Sequence, residues 1–162
     1  MMRLEIPGLG VLEIENLVID YNGTLAKDGR IHNKVKDRLS LLAKKLKVFI
    51  ITADTRGDVS KRMEIFERLK RVHVEVVKVQ GQDEAQAKRD FVKELGPERT
   101  IAVGNGYNDS LMLKEAALGI AVIGPEGAAR EAILNAHVVV TDVLHALELI
   151  LKPLRHKATL RR

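Results

Sequence analysis

The chain of 162 residues carries 27 Lys and Arg against 22 Asp and Glu, a formal net charge of +5, with 46% hydrophobic and only 3% aromatic residues. That length and mix suit a single globular domain with an aliphatic core, and the absence of cysteine excludes disulfides and thiolate metal sites. No apolar run approaches membrane-spanning length, and the opening Met1-Met2-Arg3-Leu4-Glu5-Ile6-Pro7 lacks the apolar segment of a signal peptide, so a cytoplasmic protein with no membrane partner is expected. Much of the positive excess lies at Lys152, Arg155, Lys157, Arg161 and Arg162. Residues 152–162 therefore read as a solvated basic tail on a single domain of residues 1–151, and nucleic acid is not the expected partner.

Residues 3–15 alternate as a hairpin around Gly8-Leu9-Gly10. Leu17 to Asp20 reads as a short buried strand that stops at a carboxylate, followed by the Asn22-Gly23 turn and Thr24. Asp28-Gly29 marks a small flap over residues 25–32. Asn33 is placed to cap a helix running to about Leu46, with Val35, Leu39, Leu42 and Leu46 inward. Val48 to Ile51 forms a second strand ending at Thr52, and a helix over about 57–70 turns Val59, Met63, Phe66 and Leu69 inward. Val72 to Val79 makes a third strand, and Asp83 with Gln86 resembles a capping box for a helix over about 84–95. Gly96-Pro97 stops it, and Thr100 to Val103 forms a fourth strand, broken by Gly104-Asn105-Gly106-Tyr107-Asn108-Asp109. A short helix, a fifth strand (Gly119 to Ile123), a Gly124-Pro125 turn and a helix near 127–135 follow. Val138 to Val140 is the sixth strand, and Thr141 is placed to cap a last helix to about Leu151. Short buried strands alternating with helices predict a doubly wound α/β fold, its parallel sheet covered on both faces.

In such a fold ligands bind beyond the carboxyl ends of the strands. Four of those ends converge: Asp20, Thr52, the loop before Lys88, and Gly104 to Asp109. They supply a carboxylate nucleophile, a hydroxyl, a cation and a second cluster of oxygens, the set needed to move a phosphoryl group with Mg²⁺ offsetting negative charge. The five histidines show no metal-ligand spacing and read as surface or structural, with His32 beside the flap. Asp142 reads as a helix-start charge, Asp54 as a helix cap or a residue reaching the site, and Gly124 to Gly127 as a turn. Gly104-x-Gly106 lacks the context of a dinucleotide site.

The sequence resembles the haloacid dehalogenase-like phosphotransferase superfamily. Asp20-Tyr21-Asn22-Gly23-Thr24-Leu25 matches its first motif, Asp-x-Asp/Thr-Gly-Thr-Leu, at all but the third position. Val48 to Thr52 matches the second motif and Lys88 the third, with Lys78 a weaker candidate. Gly104 to Asp109 matches Gly-Asp-Gly-x-Asn-Asp with one change. The run from Ile101 to Ile123 is similar to the phosphorylation domain of P-type ATPases and to small soluble relatives of it. The resemblance implies Asp20 as nucleophile and Thr52 and Lys88 on the phosphate. It also implies Mg²⁺ held by Asp20, the backbone carbonyl of Asn22, Asn105 and Asp109, with Gly23, Thr24, Ala53 and Asn108 around the substrate.

Two departures each replace a carboxylate by an amide. Asn22 stands where the family's acid and base stands, and an amide does not titrate in this range. Asn105 stands at a metal-binding aspartate. The implied activity is a phosphatase slow on alkyl phosphomonoesters, and the alternative is a degenerate phospho-ligand-binding or regulatory protein. The intervals after Leu25 and after Thr52 leave no room for a cap domain, so a small-molecule or macromolecule-borne phosphate could enter. Capless relatives with such a flap shield one another's sites, which makes a homo-oligomer, a tetramer, the expected assembly.

Overall fold

Met2, Leu4 and Ile6 turn inward from β1 (Met2–Ile6), which pairs antiparallel with β2 (Gly10–Ile14), and Gly8 and Gly10 take the positive φ the connecting turn needs. The computed structural model describes residues 1–28, 30–53, 74–80, 83–152 and 154–161. The helix expected over about 57–70, Asp54, His73 and the first residues of the third strand lie outside the described residues.

The sheet is built from β3 (Asn16–Asp20), β4 (Lys47–Thr52), β5 (Val74–Lys78), β6 (Thr100–Gly104), β7 (Leu118–Val122) and β8 (Val138–Val140). All neighbours pair in parallel, in the order β5-β4-β3-β6-β7-β8. Every residue of β3, β6 and β7 is buried, as a sheet covered on both faces requires. From β3 the chain steps outward to β4 and β5, then returns to the other side of β3 as β6. The winding therefore reverses between β3 and β6, and the crevice for a ligand opens at their carboxyl ends.

Alternating strand residues feed two apolar layers. Leu17, Ile19, Ile101 and Val103 join Leu39 and Leu42 of α1 (Asn33–Ala43) and Leu147 and Ile150 of α5 (Val143–Leu151). Val18, Phe49, Ile51 and Ala102 join Val92 of α2 (Glu84–Leu95), Met112 and Leu113 of α3 (Ser110–Glu115), and Ala132 of α4 (Arg130–Asn135). Gly119 lies where α3 crosses β7, and any Cβ there would collide with the backbone carbonyl of Leu113.

Several boundaries differ from expectation. The cap of α1 is His32, whose Nδ1 accepts the Lys34 N–H at 3.1 Å, so Asn33 is the first helical residue. The helix ends at Ala43, and Leu46 reaches the core from the turn beyond it. Asp142 rather than Thr141 caps α5, accepting the Leu144 N–H at 2.8 Å. The helix expected near 127–135 starts at Arg130. The basic tail, expected to be solvated, carries α6 (Leu154–Leu160), whose Leu160 packs against the core.

Candidate active site

Asp20 ends β3, and the turn after it depends on Gly23 at φ +76°. A Cβ at Gly23 would stand 2.6 Å from Glu126 Oε2 and 2.8 Å from Asn105 Nδ2, so only glycine lets the turn approach the opposite loop. The chain folds straight back, with the Leu25 and Ala26 N–H groups donating to the carbonyls of Asp20 and Tyr21. This returns the Thr24 hydroxyl to 3.2 Å from Asp20 Oδ2 and 3.0 Å from Asn105 Oδ1. A hydroxyl has one hydrogen, so it serves only one of these two oxygens at a time.

Lys88 projects from α2 and is 1% exposed. Its Nζ donates to Asp20 Oδ1 at 2.9 Å and to Asp109 Oδ1 at 2.8 Å. The other oxygen of Asp109 accepts the backbone N–H groups of Asn105 (3.0 Å) and Gly106 (2.9 Å), which anchors the loop after β6. Gly104 makes room for this, since a Cβ there would sit 2.6 Å from the Asp109 side chain. Asn108 donates to Glu84 Oε2 at 2.7 Å, tying that loop to the start of α2.

A cavity of about 470 Å³ opens over these groups. Asp20, Asn22, Thr52, Ala53, Lys88, Asn105 and Asn108, all singled out from the sequence, line it. Gly23, Thr24 and Asp109 are buried around it. Asp109, expected as a direct or water-mediated metal ligand, has Oδ1 on Lys88 and Oδ2 on the loop backbone. Lys78, the weaker lysine candidate, is not among the lining residues, whereas Glu84 and Glu126 are. Sequence reasoning missed both glutamates as site residues. The position of Glu84 at a helix start on the crevice side was the signal available for it. The Gly124 to Gly127 segment that presents Glu126 reads from the sequence as a turn, in a region where the family resembled often borders its site.

Burial pushes the Asp20 carboxyl up to about 7, with the Asp109 carboxylate adding to the rise against the pull of Lys88 and Thr24. Burial works against the Lys88 charge, but the two carboxylates outweigh it and hold the ammonium above the ordinary lysine range. No cluster of three His, Cys, Asp or Glu capable of holding a metal occurs among the described residues. A metal in this crevice would have to draw on amide and backbone oxygens beside the carboxylate.

A family model described as haloacid dehalogenase-like hydrolase matches residues 3–117. An uncharacterized protein of Methanocaldococcus jannaschii is 50% identical over 72 residues, 44% of this chain and 77% of that one. A phosphoserine phosphatase of Idiomarina loihiensis is 50% identical over 44 residues, 24% of this chain and 20% of its own length. Among solved structures, the 3-deoxy-D-manno-octulosonate 8-phosphate phosphatase of Moraxella catarrhalis is similar with a TM-score of 0.61 and 27% identity, over 90% of this chain and 91% of that one. That structure is a complex with magnesium ion, phosphate ion and the sugar acid.

Proposed function

Because the chain belongs to the haloacid dehalogenase-like hydrolases, we propose that it is a Mg²⁺-dependent phosphohydrolase acting through an aspartyl phosphate on Asp20. One observation carries the reading: a buried ammonium joins Asp20 and Asp109, at 2.9 and 2.8 Å, where the winding of the sheet reverses. The magnesium and phosphate in the Moraxella enzyme support it.

A carboxylate oxygen of Asp20 attacks phosphorus, the bond from phosphorus to the leaving oxygen breaks, and that oxygen keeps the electron pair. Lys88 and the Thr52 hydroxyl bind the oxygens of the phosphoryl group in transit. Water then attacks phosphorus, releasing inorganic phosphate and restoring the carboxylate. Mg²⁺, when bound, offsets phosphate charge and is held by hard oxygen atoms. Asp20, the Asn22 carbonyl and Asn105 Oδ1 fit that requirement. Asp20 Oδ2 and Asn105 Oδ1 compete for the single hydrogen of Thr24, so one of them lacks a donor that a cation would replace. Asp109 is assigned to holding Lys88 and the loop rather than touching the metal.

Asn22 has no proton to give, so the leaving oxygen departs as an anion. Acetyl phosphate and p-nitrophenyl phosphate are expected to turn over at least about 100-fold faster than a sugar phosphate, the usual worth of a general acid. Steady-state phosphate release measures this, and comparable rates on p-nitrophenyl and sugar phosphates would overturn the assignment of Asn22. The competing reading, a phospho-ligand-binding or regulatory protein, draws on the two carboxylate-to-amide exchanges at Asn22 and Asn105. The lack of any phosphate release that depends on Asp20, judged against Asp20→Asn, would favour it.

A further inference from the structure

The flap, the start of α1 and the start of α5 enclose a second cavity, of about 660 Å³, which shares no lining residue with the catalytic crevice. The turn of the flap is closed by reciprocal backbone bonds between Lys27 and Arg30, with Asp28 at φ 50°. Lys27 also reaches across to Asp142 Oδ2 at 3.0 Å, fastening the flap to the cap of α5. Four basic residues line the cavity, Lys27, Arg30, His32 and Lys34, against one acidic residue, Asp142. That acid is taken by Lys27. The side chains of Arg30 and Lys34 have no ion pair or hydrogen bond among the described residues.

We propose that this cavity binds a small organic anion, its charged group on Arg30 and Lys34 and its apolar body against Leu25, Val35 and Val143. Two unpaired cations beside a cavity create a local positive potential, and low-dielectric walls concentrate it. His32 adds a ring N–H donor. Its Nδ1 is already the acceptor for the Lys34 N–H, so the ring hydrogen of the neutral form sits on Nε2. α1 carries no acidic residue in its first turn, so its backbone dipole reinforces the same sign, whereas that of α5 is met by the capping Asp142 carboxylate. The volume falls in the range of about 300–1,000 Å³ usual for small-molecule sites, well beyond what a bare inorganic ion requires.

The probe is anilinonaphthalene sulfonate, an anion on an aromatic body that cannot donate a phosphoryl group, titrated by fluorescence into the full chain. Saturable binding of one probe per chain is expected. Arg30→Gln with Lys34→Gln should weaken it at least about tenfold, the worth of one charge-assisted contact. Both side chains are exposed, so the double variant keeps the fold, and Arg30→Lys with Lys34→Arg should restore binding. Asp20→Asn should leave the affinity unchanged, which separates this cavity from the crevice. Hexyl phosphate should displace the probe, and hexanol or inorganic phosphate at equal concentration should not. Equal affinity in the double glutamine variant, loss of binding in Asp20→Asn, or displacement by hexanol would each overturn the proposal.

Discussion

Lys88 is one ammonium shared between two carboxylates at the floor of the crevice, so two acidic groups there face a single cation. Burial and the Asp109 carboxylate together drive the Asp20 pKa upward, and a divalent cation would relieve that stress. Asn105→Asp adds a further carboxylate to this cluster. It is expected to tighten Mg²⁺ binding about tenfold by calorimetry and to lower the melting temperature without Mg²⁺. Unchanged affinity would contradict the place given to Asn105. Asp20, Lys88 and the Gly104 to Asp109 loop were legible in the sequence because their chemistry is tied to short, ordered motifs. Glu126 was not, since its reach depends on a turn closed by the Gly127 N–H on the Gly124 carbonyl, whose aim follows from packing. With Glu84 it places negative charge at the mouth of the crevice.

Helix α5 begins where Asp142 does two things at once. One oxygen caps the Leu144 N–H and the other pairs with Lys27 of the flap. Asp142→Ala removes both and is expected to cost about 1–2 kcal/mol in urea unfolding, most of it from the lost cap. Asp142→Asn keeps a good cap and loses only a half-exposed ion pair, expected to be worth under about 1 kcal/mol. Equal losses in the two variants would show that the ion pair, and not the cap, dominates. Thr141 was the expected cap because threonine and aspartate both suit that position. The choice between neighbours rests on where the backbone turns helical, which Asp142 decides here at φ −157° and ψ 143°. His32 took the place of Asn33 for the same reason. The strands were easier to read, because continuous buried runs such as Leu17 to Asp20 leave little alternative in a sheet covered on both faces.

The order of the strands was not readable from any single segment, and it is the order that gathers the site. Its far edge also carries a pH dependence. The Gly119 N–H donates to His137 Nδ1 at 2.9 Å, and the His137 N–H returns a bond to the Gly119 carbonyl at 2.8 Å, joining β7 to the start of β8. Burial holds the His137 pKa below its ordinary value. As pH falls through 6.5 the unfolded chain therefore binds a proton before the native one, so stability declines and levels off once the native ring is also charged. Protonating Nδ1 removes the acceptor, a loss of about 1 kcal/mol. Asp20 acts in the opposite sense, retaining its proton in the fold from pH 3.8 to about 7, so stability falls as pH rises there. Comparing urea midpoints at pH 7 and pH 5 in the wild type and His137→Asn isolates the histidine. The variant should lose less on acidification, and an identical loss would refute this role.

The most direct test of the account is acid-quenched trapping with radiolabelled acetyl phosphate and Mg²⁺. The label should stay on the wild-type protein, map to the peptide containing Asp20, and be absent from Asp20→Asn. Label retained by that variant, or found on a peptide without residue 20, would contradict the central claim.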